Sequence, residues 1–434
     1  MPHPFDTDLE ATGLCRFIDA SPSPFHACAQ AADRLEQGGF RRLSETETWP
    51  AEPGRYYLQR GGSLVAWGTE YAEGPATPFR VVGAHSDSPN LRIKPQPDLS
   101  RAGWQLLGVE VYGGPLVNSW LDRDLGLSGR VALRGADGEP IQRLLLVDDP
   151  VLRVAQLAVH LDRDVNDDGL TLNPQQHLTP LWGVGTSPGD FRAFVAKACE
   201  ADPDDVLGWD LMTHDLTPAR RIGRDRDLIA AARLDNLATS YAGVRALLTA
   251  VDTVPARPWA PVLVMFDHEE VGSVSERGAF STLLPAVLER VVATRGGARE
   301  DYLRALAGSV IASGDMAHAT HPNYAERHDA EHSVAVNGGP VLKTNARLRY
   351  ATDAVGSAAF VAACDQAGVP VQRFVSRSDM PCGSTVGPMT AALTGATTVD
   401  FGAPTLSMHS AREMCGAYDP AMYAGALAAF LSPG

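Results

Sequence analysis

The stretch Val262-Leu263-Val264-Met265-Phe266-Asp267-His268-Glu269-Glu270-Val271-Gly272-Ser273 passes from an unbroken apolar run directly into two adjacent glutamates. The apolar part reads as a buried strand. Glu269 and Glu270 then stand at its carboxyl end. Neighbouring like charges repel and are costly to desolvate, so a buried pair needs a cation beside it. A divalent metal supplies one, taking one carboxylate as ligand and leaving the other as a base. Taken alone, two adjacent glutamates favour the reading of an exposed acidic turn.

The same pattern recurs along the chain. Arg80–Ala84 reads as a strand and ends at His85, with Asp87 two residues on. Val310-Ile311-Ala312 precedes Asp315, and the strand Thr397–Phe401 is followed in its loop by His409. Asp235 stands where the helix Asn236–Ala250 begins. Open α/β sheets gather ligands at the carboxyl ends of their strands. His85, His409, Asp235, Asp315 and Glu270, with Glu269 as an unliganded neighbour, suit two borderline metal ions sharing a bridging carboxylate, zinc foremost. Asp87 fits the carboxylate that orients a ligating imidazole. Each residue also has a plain alternative: a structural histidine, a helix N-cap at Asp235 or Asp315, a turn former at Asp87.

Around these segments, helical patterns over residues 8–40, 281–294, 357–367 and 420–431 alternate with apolar strands. The alternation predicts an α/β sheet with helices on its faces and substantial parallel character. Residues 92–231 differ, with strand-like pieces, Gly-rich turns and few helical patterns. They read as an inserted β-rich domain, leaving 1–91 and 232–434 as one discontinuous domain. The length of 434 residues suits two domains.

The formal net charge of −15 argues against a nucleic-acid partner. No apolar run reaches the roughly 18–20 residues of a membrane span. The first residues lack the apolar core of a signal peptide. Cys15, Cys28, Cys199, Cys364, Cys382 and Cys415 are scattered without a CxxC pair, as in a reduced cytoplasmic protein. Two decoys fail. His268 opens an HExx pattern, but Gly272 stands where a zinc helix needs histidine. Asp164–Gly169 matches half a calcium loop, but Gln175 occupies the position of the closing glutamate.

Ordered blocks over nearly the whole chain carry a resemblance. They include SPSPFHA from Ser21, GAHSDSPNLRIKP at 83–95, YGGPLVNSWLDRDLGLSGRV at 112–131, LAVHLDRDVN at 157–166 and ARLDNLAT at 232–239. FDHEEVGS at 266–273, DMAHATHPNY at 315–324, NGGPVLKTN at 337–345, DMPCGSTVGP at 379–388 and GAPTLSMHSAREM at 402–414 continue it. The chain resembles the aspartyl aminopeptidases, cytosolic di-zinc metallopeptidases. The resemblance implies a metallopeptidase α/β domain, with a mixed central sheet flanked by helices, interrupted by a smaller β-rich dimerisation domain. It implies that His85, Asp235 and Asp315 hold one zinc and that Asp235 bridges to a second, held by Glu270 and His409. Manganese or cobalt is expected to substitute. Glu269 is then the general base, and His160 reaches a neighbouring subunit's site. Lys343 and His318 are expected at the substrate, a peptide with a free N-terminus beginning with Asp or Glu. A homo-oligomer, a dodecamer in the family, is the expected assembly. A related di-zinc aminopeptidase with neutral preference and a non-catalytic assembly protein of the same fold are the alternatives.

Overall fold

The strand predicted from the opening stretch is Ala260–Phe266, buried along its whole length. It lies inside a nine-stranded mixed sheet. Its neighbours are Ser63–Gly68, antiparallel, and Phe79–His85, parallel. Val310–Gly314 and Thr397–Gly402 continue the parallel core. Val341–Thr344 then runs antiparallel to Thr397–Gly402. Parallel strands covered on both faces read as continuous apolar runs, and alternate residues serve opposite cores. Val82, Leu263, Ala312 and Val399 face one core, under the helices Thr7–Asp19, Pro24–Gln37, Leu234–Val251, Ala354–Ala367 and Asp419–Leu431. Val81, Val262, Val264 and Ile311 face the other, packed by Leu283–Thr294 and Arg299–Ala307.

The helix break expected at Ser21–Phe25 falls between Asp19 and Pro24. Ser23 caps the second helix and Pro24 opens it, the order that a helix N-terminus favours.

The computed structural model describes residues 5–434, so the first four residues of the N-terminal reading lie outside the described residues. The chain divides into two compact units. Residues up to Asp87, Ala219–Met408 and Glu413–Gly434 form one; Ser88–Pro218 and His409–Arg412 form the other. The second unit is a six-stranded antiparallel sheet built from Asn90–Arg101, Trp104–Tyr112, Leu125–Arg134, Pro140–Leu152, Leu181–Val184 and Val206–Asp215. Its own core includes Leu91, Leu107, Leu127, Val131 and Leu211, closed by Phe191 and Val195 of the helix Phe191–Ala198.

The boundary expected at 231 moves to Pro218. Leu228–Ala231 pairs antiparallel with Glu413–Gly416, inside a five-stranded sheet of the first unit. The boundary expected at 91 moves to Asp87, because Asn90 already pairs with Tyr112 in the second unit's sheet. At 164–169 the calcium-loop match is a short helical turn, Val165–Asp168. Among the described residues no helix is long and apolar enough to cross a membrane.

Candidate metal centre

The parallel strands end in register. Phe266 pairs with His85, and Gly314 with Phe401. The residues that follow these ends are therefore delivered to one edge of the sheet. His85 is buried, and its Nδ1 donates to the Asp87 carbonyl at 2.9 Å. That bond fixes the tautomer and leaves Nε2 as the ligand atom. Nε2 faces Asp235 Oδ1 at 3.2 Å and Asp315 Oδ1 at 3.8 Å.

Asp235 sits in the first turn of Leu234–Val251, where Arg233 adopts a left-handed conformation and the Asp235–Asn236 peptide is cis. Its backbone N–H donates to buried Glu413 at 3.0 Å. Asn236 Nδ2 donates to the Gly314 carbonyl at 2.8 Å, joining the helix start to the strand that precedes Asp315. Asp315 is held by its N–H on the Phe401 carbonyl at 3.0 Å.

Glu269 and Glu270 lie on a 3-10 turn, Glu269–Val271, bracketed by left-handed His268 and Gly272. The Asp87 carboxylate accepts both of their N–H groups, at 3.1 and 3.2 Å. Asp87 thus touches the loop carrying the glutamates and, through its carbonyl, the imidazole. Ligand atoms of His85, Asp235 and Asp315 lie within 4.8 Å of one another, as do those of His85, Glu269 and Glu270.

The electrostatics follow from this crowding. Burial pushes the Glu269 carboxyl up to about 8, opposed by His85 and reinforced by Asp315, Asp87 and Asp235. Burial disfavours the His85 imidazolium, but hydrogen bonds to Asp235, Asp315 and Asp87 outweigh it and hold His85 well above its usual range. A proton on His85 is a weak substitute for a divalent cation among so many carboxylates. Converging imidazole nitrogen and carboxylate oxygens form a donor set that zinc takes. The residues present therefore fit the metal.

The remaining expected residues are placed as follows. Lys343 is buried on Val341–Thr344. Its Nζ donates to the Met316 carbonyl at 3.2 Å, lies 3.8 Å from Asp315 Oδ2, and sits over the Tyr350 ring at 5.1 Å. It faces the Asp315 carboxylate and does not line the neighbouring cavity. His318 does line that cavity. Desolvation, then the Lys343 ammonium, lowers its imidazole below the usual range, while Asp235 and Asp315 pull the other way. His409 belongs to the second unit, with Nδ1 2.9 Å from the Gly114 carbonyl. His160 is exposed in the same unit.

The cavity, of about 280 Å³, is bounded by His318, His321, His328, Arg327, Arg377 and Tyr350 among others. None of its lining side chains is a carboxylate. The sequence reading missed Arg327 and Arg377, because a lone arginine in a polar loop carries no signal until the fold places it.

The family model for aminopeptidase I zinc metalloproteases (M18) matches residues 17–431. A probable M18 family aminopeptidase 2 of Streptomyces coelicolor is 54% identical, over 97% of each chain. Among solved structures, the cryo-EM structure of the Ape4 and Nbr1 complex matches with TM-score 0.94 and 36% identity, over 98% of this chain and 86% of that one. The S. cerevisiae mApe1 dodecamer matches with TM-score 0.84 and 27% identity, over 97% and 95%.

Proposed function

The chain belongs to the M18 aminopeptidase family, and from that premise we propose that it removes single N-terminal residues from peptides, preferring Asp and Glu. One observation carries the reading: a buried His–carboxylate cluster with Glu269 alongside adjoins, through His318, a cavity whose lining includes two arginines, Arg327 and Arg377, and no carboxylate. In a chain of net charge −15, two arginines in a lining without carboxylates favour an acidic side chain.

His85, Asp235 and Asp315 would hold one zinc, and Asp235, Glu270 and His409 a second. Bound zinc supplies Lewis acidity toward the scissile carbonyl and acidifies water. Glu269 takes the proton of the attacking water and returns one to the leaving amine. Its burial suits a base whose proton affinity lies near the working pH. Asp87 holds the base and the His85 ring in one frame. The peptide's α-ammonium is attracted by the cluster's carboxylates, which limits cleavage to one terminal residue. Arg327 and Arg377 draw the substrate carboxylate. Arg377 already pairs with exposed Asp379 at 2.6 Å, a partner that a buried substrate group can displace. Lys343, beside Asp315, contributes positive charge to the same site.

His160 of a neighbouring subunit steadies the oxyanion. The likeness to the S. cerevisiae dodecamer supports a homo-oligomeric assembly of this chain, with a dodecamer as the proposed size. Six free cysteines suit a reducing, cytoplasmic setting.

The test is hydrolysis of matched peptides differing only in their N-terminal residue (Asp, Glu, Leu, Ala, Lys), after chelation and restoration with zinc, manganese or cobalt. Metal-restored cleavage led by Asp and Glu is expected. A lead by Leu or Ala overturns the acidic preference, and no cleavage with any metal overturns the peptidase reading.

A further inference from the structure

The loop 267–277, which carries Glu269 and Glu270, is closed on itself by side chains that take no part in the chemistry above. Asp267 is fully buried at the end of the central strand. Its Oδ1 accepts the His268 N–H at 2.9 Å, and its Oδ2 accepts Arg277 Nε at 2.8 Å. Arg277 Nη2 also donates to His268 Nε2 at 3.1 Å. Nε2 is therefore the acceptor of that ring, and the proton resides on Nδ1, which donates to Ser275 Oγ at 2.8 Å. One guanidinium thus spans the two residues that precede the turn.

The backbone is closed at the same place. The Ser63 hydroxyl donates to the Arg277 carbonyl at 2.7 Å and accepts the Asp267 N–H at 2.8 Å, joining the two ends of the loop. Gly61 and Gly62 leave room for this. A Cβ on Gly61 would crowd the Arg277 side chain, and one on Gly62 would overlap the Asp267 carboxylate. Within the loop, the Ser273 N–H returns to the His268 carbonyl at 2.7 Å. On the opposite side the glutamates' own N–H groups end on Asp87. The turn is held from both sides, and Arg277 bonds to both Asp267 and His268.

We infer that Arg277 is a positioning residue for Glu269 and Glu270, acting through Asp267 and His268. The inference rests on the proposed roles of the two glutamates. A guanidinium suits the task because its donors are fixed in a plane, and a lysine ammonium cannot reproduce that span. Arg277→Lys keeps a cation against the buried Asp267 carboxylate but loses the bridge to His268.

The experiment compares full-length wild type, Arg277→Lys and Ser275→Ala. It reads zinc affinity by competition with a chromophoric chelator, melting temperature of the metal-free protein, and kcat and KM on an Asp-peptide. For Arg277→Lys the expected result is a near wild-type melting temperature, zinc bound about 10- to 100-fold more weakly, and kcat reduced to a similar degree. KM stays within about twofold, because the substrate pocket is untouched. Ser275→Ala, which removes the hydroxyl facing His268 together with its bonds to the Arg277 and Gly278 N–H groups and leaves the Asp267–Arg277 side-chain pair intact, shows the same loss in smaller degree. Wild-type zinc affinity in both variants overturns the inference. Should Arg277→Lys fail to fold, Ser275→Ala alone decides it. Wild type that binds zinc yet cleaves nothing would sink the peptidase reading, while zinc affinity still judges the clamp.

Discussion

Glu269 differs from the carboxylates around it in what holds it. Asp235 and Asp315 face His85 Nε2, and Asp87 is tied to two backbone N–H groups. Burial raises the proton affinity of Glu269, and three neighbouring carboxylates add to that. A carboxylate so placed is fitted to accept a proton. Glu269→Gln keeps the shape and removes the acceptor, so the variant should bind zinc as wild type does and lose about 10²- to 10⁴-fold in kcat. Metal analysis beside single-turnover rates checks this, and a rate near wild type removes Glu269 from the mechanism. In the proposed reading the arginines act on specificity instead. A charge-assisted hydrogen bond contributes roughly 1.5–3 kcal/mol. Arg327→Gln with Arg377→Gln should therefore lower the Asp-to-Leu ratio of kcat/KM by about tenfold or more, with the Leu-peptide rate unchanged. An unchanged ratio places recognition elsewhere, Lys343 being the next candidate.

Strand ends decide where these residues stand. Gly402 closes Thr397–Gly402 just where Asp315 leaves its own strand, and a Cβ there would overlap the Asp315 carbonyl oxygen. Gly402→Ala must push the two strands apart at the point that aims Asp315. Overpacking of this kind costs about 1–3 kcal/mol. The variant should melt at lower temperature and bind less zinc per chain, measured by calorimetry and metal analysis. Full zinc occupancy would mean that the strands absorb the methyl elsewhere. The same elements explain what the sequence made legible. Phe79–His85, Ala260–Phe266 and Val310–Gly314 are apolar runs that end at chemistry-bearing residues, so the residues gathered at that sheet edge could be read off one by one. The insert's end could not, because Leu228–Ala231 is fixed by a partner strand at Glu413–Gly416, far along the chain. Arg277 and the cavity arginines were equally hidden: the bridge from Arg277 to Asp267 and His268, and the meeting of Arg327 with Arg377 at one cavity, are set by loop closure, which has no period. Lys343 was read from its motif as a substrate contact, whereas its nearest charged neighbour is Asp315.

At the scale of the molecule, the two units carry different surfaces. In the second, His160 is exposed, and so are the apolar Leu157, Val159 and Leu161 beside it. Apolar residues standing together at a surface call for a cover, and a second copy of the chain provides one in the proposed assembly. If His160 serves a neighbour's site, two inactive chains must be able to repair each other. A His160→Ala chain keeps Glu269, and a Glu269→Gln chain keeps His160. Co-expressed and randomly assembled, they form some sites with both residues intact. In a closed symmetric oligomer with one such neighbour per site, about a quarter of sites are of this kind. The mixture should recover about that share of wild-type kcat, while each variant alone stays inactive and of unchanged size by sedimentation. Two preparations mixed after assembly should recover nothing, which separates subunit exchange from simple addition. If the co-expressed mixture gains no activity although its oligomers contain both chains, His160 acts within its own chain or not at all.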